Sequence, residues 1–267
     1  MMQKGAFLIM DTTVLYAVSN GVATLTLHRP EVFNALNAQL HADLLAALQR
    51  AERDPQVRAV VITGAGKAFC SGQDLREFPA EGAAALIGQR LRQSYNPLVT
   101  KLRALPKPVI AAINGVAAGA GLSLALACDL RLAAEGARLV VAFARIGLIP
   151  DCGMTYTLPR LIGQARAFEL AARGGELDAP TALQWGMLNR VVPDADLAEA
   201  ARELATELAR GPALAISLIK RSLEFSQHAT LEAALNYEAM AQEAASAHPD
   251  FAEGVAAFRE KRPARFS

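Results

Sequence analysis

The chain has 267 residues, 52% of them hydrophobic, with 27 Lys and Arg against 26 Asp and Glu for a net charge of +1. The apolar fraction is ample for a large core and excludes intrinsic disorder. The charge balance argues against nucleic-acid binding driven by phosphate neutralisation. At about 150 residues per domain the length allows two units, though one α/β domain of this size is common. Cys70, Cys128 and Cys152 have no CxxC spacing, which points away from zinc and redox dithiols and toward a reducing cytoplasm.

In chain order, the apolar stretch Gly5 to Met10 stops at Asp11 and is shorter than a secretory core. Val14 to Val18 and Val22 to Leu27 predict two strands joined at Asn20-Gly21, a strong hairpin signal. Leu40, Leu44, Leu45 and Leu48 form one stripe of a helix over 38–53. Val57 to Thr63 predicts a buried strand, and 64–80 a loop. A helix is expected over 81–105, interrupted at Pro97. Pro108 to Cys128 carries no charge and is long enough to pass for a membrane span. Its β-forming Val109, Ile110 and Ile113, the Asn114-Gly115 turn and the small residues that follow predict instead a strand, a turn and a buried helix. Strands follow at Asp129 to Ala133 and Arg138 to Phe143, then a turn over 150–153. From Met154 the chain reads as helical except near Arg190 to Val192, with helices near 196–210, 213–227 and 230–247. This order predicts an α/β core of mostly parallel strands with a helical C-terminal region. That region is amphipathic and needs a surface to pack on, for which a partner subunit is the expectation.

Several motifs bear on chemistry. Gly64-Ala65-Gly66-Lys67 lacks the spacing and the Ser or Thr of a phosphate loop, and Gly115, Gly119 and Gly121 miss G-x-G-x-x-G. Gly121-Leu122-Ser123-Leu124-Ala125 approaches a nucleophile elbow, which would make Ser123 a hydrolase serine. It lies inside an apolar helix, so a packing residue that back-bonds to its own helix is the preferred reading. The stronger pair is Ala68-Phe69-Cys70-Ser71-Gly72-Gln73-Asp74-Leu75 and Ile113-Asn114-Gly115-Val116-Ala117-Ala118-Gly119-Ala120-Gly121. Each follows a predicted buried strand and is built of small residues, which let a ligand approach backbone N–H groups. The second run opens a helix, whose first N–H groups are unpaired and carry partial positive charge. Facing each other, the two would form an oxyanion hole for a carbonyl oxygen that gains negative charge; the alternative is turns and close helix packing.

These runs, with His28-Arg29-Pro30, Phe33-Asn34-Ala35-Leu36, the Lys107 to Gly115 stretch, Ala127-Cys128-Asp129 and Gly147-Leu148-Ile149-Pro150, resemble the enoyl-CoA hydratase/isomerase, or crotonase, family over nearly the whole chain. The resemblance implies a crotonase-like spiral of ββα units over 1–200 and a helical trimerisation region over 201–267. It implies an acyl-CoA thioester substrate, a homotrimer or dimer of trimers, and no cofactor beyond the CoA of the substrate. It puts the oxyanion-hole N–H groups at Ser71 and Ala120. Ala68, Gly72, Gln73, Asp74, Leu75 and Gly121 would border the substrate, with Asp74 ordering its loop.

Two departures from the family pattern carry the functional reading. The two glutamates that activate water in the hydratases fall at Ser123 and Phe143, and neither can serve as that base. One carboxylate remains, Asp151 in Ile149-Pro150-Asp151-Cys152-Gly153. It is either a helix N-cap or the single acid/base. Pro-Asp-x-Gly and the stretch Asp250 to Arg262 resemble the ring-opening isomerase branch of phenylacetate breakdown, which also moves enoyl-CoA double bonds, as in fatty acid metabolism. A dehalogenase branch has an Asp here too, but needs a His where 76–104 has none. The expectation is therefore a cytoplasmic acyl-CoA isomerase with Asp151 as acid/base. The alternatives are a hydratase of the same family, a serine hydrolase at Ser123, and a non-catalytic acyl-CoA-binding protein.

Overall fold

Two strands joined at Asn20-Gly21 begin the described chain. Both turn residues have positive φ, +52° and +79°, as a two-residue hairpin turn requires. The computed structural model describes residues 13–77 and 83–267, so the Gly5 to Met10 stretch lies outside it. The hairpin pairs β1 (Val14–Ser19) with β2 (Val22–Leu27) in antiparallel register from Val14 opposite Leu27 to Ser19 opposite Val22. Helix α1 (Ala38–Arg53) starts where the Asn37 side chain accepts from Leu40 N–H, and buries Leu40, Leu44 and Leu48.

From here the strands alternate between two sheets. β3 (Ala59–Gly64) joins β2, and β4 (Ala68–Cys70) starts a second sheet. Helix α2 (Ala83–Arg90), a π turn over Leu91–Tyr95 and α3 (Asn96–Ala104) follow. β5 (Val109–Ile113) returns to the first sheet, β6 (Val116–Ala118) to the second, and α4 (Ala120–Ala127) follows. β7 (Leu130–Ala134) and β8 (Arg138–Val140) repeat the step. Next come α5 (Met154–Ile162), α6 (Gln164–Arg173), β9 (Glu176–Asp178), α7 (Ala179–Gln184) and β10 (Arg190–Val192). The large sheet has the order β1-β2-β3-β5-β7-β10, parallel after the hairpin, and the small one β4-β6-β8-β9. One strand to each sheet and then a helix is the expected ββα spiral.

The differences from the sequence expectation are short elements. The 64–80 segment contains β4 and a 3₁₀ turn over Leu75–Glu77. The strand over 138–143 stops at Val140 and gives way to a 3₁₀ turn over Phe143–Ile146. β6 and β9 were unforeseen. Three residues are too few to show a period, and these strands exist because strands of the neighbouring ββα step pair with them. The uncharged Pro108 to Cys128 stretch is β5, β6 and α4, and every α4 side chain is buried. No described helix is long and apolar enough to cross a membrane.

Helix α8 (Leu197–Ala209) spans residue 200 and packs on the large sheet, with Ala200, Ala201, Ala205 and Ala209 buried. The final helices, α9 (Ala213–Ser226), α10 (Leu231–Ser246) and α11 (Pro249–Glu260), behave differently. They leave Leu223, Leu231, Met240 and Phe258 between 65% and 86% exposed.

Candidate active site

Three chain segments converge at the N-terminus of α4. The first is the loop after β4, fixed by two asparagines. Asn34 is fully buried, accepts from Arg29 N–H at 2.9 Å, and reaches the carbonyls of Ala65 (2.9 Å), Ala68 (2.8 Å) and Phe69 (3.3 Å). Asn114 accepts from Gly64 N–H at 3.0 Å and donates to Gly66 O at 3.0 Å. Arg29 ties this frame to the loop, through Ala35 O at 2.6 Å and Asp74 Oδ2 at 3.1 Å. Arg76 also pairs with Asp74 at 2.7 Å, and its hydrogen bonds, with those of Arg29, hold the Asp74 carboxyl well below the usual carboxylate range. Asp74 thus orders its loop.

The backbone of this loop decides which N–H groups are available. Ser71 N–H donates to Phe33 O at 3.0 Å. It is already committed, which corrects the expectation that Ser71 supplies an oxyanion donor. Gly72 O accepts from Leu36 N–H at 2.7 Å, and Asp74 N–H donates to Leu36 O at 2.9 Å. Between two groups that face Leu36, the Gln73 N–H points to the opposite side of the chain. It has no backbone acceptor among the described residues. Sequence reasoning counted Gln73 only as a border residue; the signal that could have found it is Gly72, whose φ of +93° turns the chain just before it.

The second segment is Gly119-Ala120-Gly121. Gly119 has φ +51° and ψ −125°, a conformation closed to other residues. It delivers Ala120 as the first residue of α4, with its N–H unpaired among the described residues, as the first N–H groups of a helix are. A Cβ built on Gly72 would stand 2.7 Å from Ala118 O and 3.4 Å from Ala120 N, so the two loops touch backbone to backbone. Gly121 serves packing: a Cβ there would meet Cys70 O at 2.3 Å.

The third segment carries Asp151. Cys152 and Gly153 both have positive φ, +53° and +80°, and turn the chain into α5. The cap of α5 is Gly153, with no side-chain cap bond, so the N-cap reading of Asp151 fails. Its backbone carbonyl accepts from Met154 N–H at 2.9 Å and from Ser123 Oγ at 3.0 Å. Its side-chain Oδ1 is buried without a hydrogen-bond partner among the described residues. Burial raises its pKa, and a hydrogen bond from Cys152 offsets that in part.

These segments wall a cavity of ≈ 240 Å³ lined by Ser71, Gly72, Gln73, Leu75, Gly119, Ala120, Phe143, Tyr95 and Asp151, with Ile87, Leu91, Ile146 and Leu148 among its apolar lining. Of the expected border residues, Ala68, Asp74 and Gly121 do not line it. Ala68 lies fully buried in β4, and the other two support the frame. Asp151 is the one carboxylate of the lining among the described residues. Ser123 is 1% exposed, and its Oγ shares one proton between Asp151 O and Gly119 O, the latter 3.3 Å away within its own helix. A hydrolase serine needs access and a neighbouring base, and Ser123 has neither. Tyr95 is a lining residue that the sequence did not single out.

A family model described as enoyl-CoA hydratase/isomerase matches residues 17–267. The chain is 46% identical over 95% of its length, and 98% of the relative's, to the 1,2-epoxyphenylacetyl-CoA isomerase of Escherichia coli. It is equally identical, over 96% of its length and 98% of the relative's, to a Rhodobacter capsulatus protein named a probable enoyl-CoA hydratase. The solved enoyl-CoA hydratase of Bacillus anthracis superposes with a TM-score of 0.88 at 35% identity, over 96% of this chain and 99% of that one.

Proposed function

The chain belongs to the enoyl-CoA hydratase/isomerase family, and from that premise we propose that it is an isomerase of acyl-CoA thioesters working through one carboxylate. The observation that carries this reading is that Asp151 is the one carboxylate in the cavity lining among the described residues, while the positions expected for a pair of glutamates hold Ser123 and Phe143. Adding water needs a base for the water and an acid for the α-carbon. Moving a double bond needs one group that takes a proton from the α-carbon and returns it to the γ-carbon. In this mechanism the thioester oxygen accepts from Gln73 N–H and Ala120 N–H. These donors stabilise the enolate as it forms, and Asp151 carries the proton. Burial suits Asp151 to the work, because an ordinary carboxylate is a weak base and desolvation raises its basicity. The same enolate chemistry supports opening of an epoxide on the acyl group, the reaction type named for the Escherichia coli relative. The proton shift calls for no metal or redox cofactor, since CoA arrives with the substrate.

The exposed apolar side chains of α9–α11 support a homotrimer, or a pair of trimers, as the working form. A role in phenylacetate or fatty acid breakdown, in the cytoplasm, is consistent with the isomerase relative.

The test is incubation with a 3-enoyl-CoA in water and in D₂O, followed by NMR and mass spectrometry. The expected product is a 2-enoyl-CoA of unchanged mass in water. Asp151→Asn should lower turnover by about 10²–10⁴-fold, the usual worth of a general acid/base, while CoA-ester binding persists. A product heavier by one water, or an active Asp151→Asn, overturns the reading.

A further inference from the structure

The cavity wall contains a second polar group that the mechanism above does not use. Tyr95 is 7% exposed, and its hydroxyl is buried with no hydrogen-bond partner among the described residues. Phenylalanine would fill the same space without stranding a hydroxyl, so packing alone does not account for a tyrosine. The unpartnered Asp151 Oδ1 belongs to the same cavity, and the charge of Asp151 is among the influences that raise the Tyr95 hydroxyl pKa, after burial.

Local geometry aims Tyr95 at this spot. Ile87, Leu91 and Tyr95 all line the cavity at spacings of four. Four residues of α-helix overshoot one turn by about 40°, and a π turn undershoots it. The π turn over Leu91–Tyr95, closed by Asn96 N–H on Leu91 O, therefore cancels the drift and keeps the three side chains in line. On its far side the Tyr95 ring meets His41 of α1 edge-on, with centroids 4.0 Å apart at 69°. Burial lowers the His41 pKa to about 4, so this neighbour is neutral at physiological pH. The other ionisable groups around the pair are Cys152 of the Asp151 turn, Cys70 of β4, Arg90 at the end of α2 and Arg145 of the 3₁₀ turn. Burial keeps both thiols protonated, with Cys70 raised to about 12. Arg90 is paired with Glu77, and Arg145 donates to Gly174 O at 2.8 Å.

We propose that Tyr95 is a positioning residue for Asp151: its neutral hydroxyl donates to Oδ1 when the carboxylate is charged, leaving the other oxygen to exchange the substrate proton. The two groups do not bond in this structure; such contacts tighten when substrate closes the site. The inference rests on Asp151 being the acid/base.

The experiment titrates Asp151 directly, through its carboxylic-acid C=O stretch in infrared difference spectra, assigned by the band's loss in Asp151→Asn. A donor to the charged form lowers a carboxyl pKa, so Tyr95→Phe should move the midpoint up by about one pH unit, with the acid limb of kcat moving alongside. Turnover should fall by about tenfold or more while KM changes little. A full-length enzyme carrying 3-fluorotyrosine at position 95 keeps the hydroxyl as a stronger donor and should move the midpoint down. Midpoints unchanged in both variants overturn the role of Tyr95 and leave the Asp151 mechanism standing. An active Asp151→Asn overturns the mechanism whatever the midpoints do.

Discussion

Gly72→Ala tests the contact between the two donor loops. The added Cβ would stand 2.7 Å from Ala118 O, so the loops must part by about half an ångström to reach tolerable contact. The φ of +93° adds strain of about 1–2 kcal/mol for a residue with a Cβ. Together these effects should destabilise the protein by about 2–3 kcal/mol. The larger consequence is catalytic. Parting the loops pulls Gln73 N–H and Ala120 N–H out of register with a single oxygen. One lost oxyanion donor is worth about 10²–10³-fold in rate, and a misplacement near 1 Å about 10²-fold. We expect α-proton exchange of a saturated acyl-CoA into D₂O, followed by NMR, to slow by about 10–100-fold. This assay reads enolate formation without requiring the natural acyl group. Wild-type exchange in a variant of wild-type stability would refute both the loop contact and the Gln73–Ala120 pair.

Two further outcomes follow from burial. The Asp151 pKa is raised in the fold, so its charged form is disfavoured there: the penalty is absent below the unfolded carboxyl pKa and grows as pH rises through it. Asp151→Asn should therefore match the wild type in acid and exceed it in urea midpoint at neutral pH, even as activity is lost; equal midpoints at neutral pH would mean the carboxylate is solvated. Separately, the proposed trimer or pair of trimers, for which the exposed apolar residues of α9–α11 offer a surface, predicts a native mass that is a multiple of three of the 28.3 kDa chain, read by light scattering, and a stable monomer or dimer would contradict the assembly.

Much of this was legible in the sequence. The hairpin strands, α1, β5 and the division of the uncharged segment follow from periodicity and turn residues, because those elements bury one face or all faces over five or more residues. Most of the small second sheet was not legible. β4, β6 and β9 are three residues each, and only pairing with their sheet neighbours makes them strands, whereas β8 was expected as a longer strand and stops at Val140. The site divided in the same way. Asp151 stood out as a carboxylate between proline and glycine. Ser71 was misjudged because a backbone N–H has no signature in sequence: whether it faces a ligand or Phe33 O depends on the alternation of the chain beside Leu36. Tyr95 was hidden because a π turn shifts the helical register by one residue, and no side-chain pattern announces that shift.

The loss of one group and the gain of another at this site are physically coupled. Ser123 stands where the hydratases of the family are expected to carry their first glutamate, and its hydroxyl instead holds the Asp151 backbone carbonyl at 3.0 Å. A glutamate there, ionised, has no proton to donate and would leave that carbonyl without its side-chain donor. Phe143, 6% exposed, fills the second position with an apolar ring in the wall of the same cavity as Asp151. Together, a serine that holds the Asp151 turn and an apolar ring at the second position support the proposed proton transfer within a substrate over the addition of water.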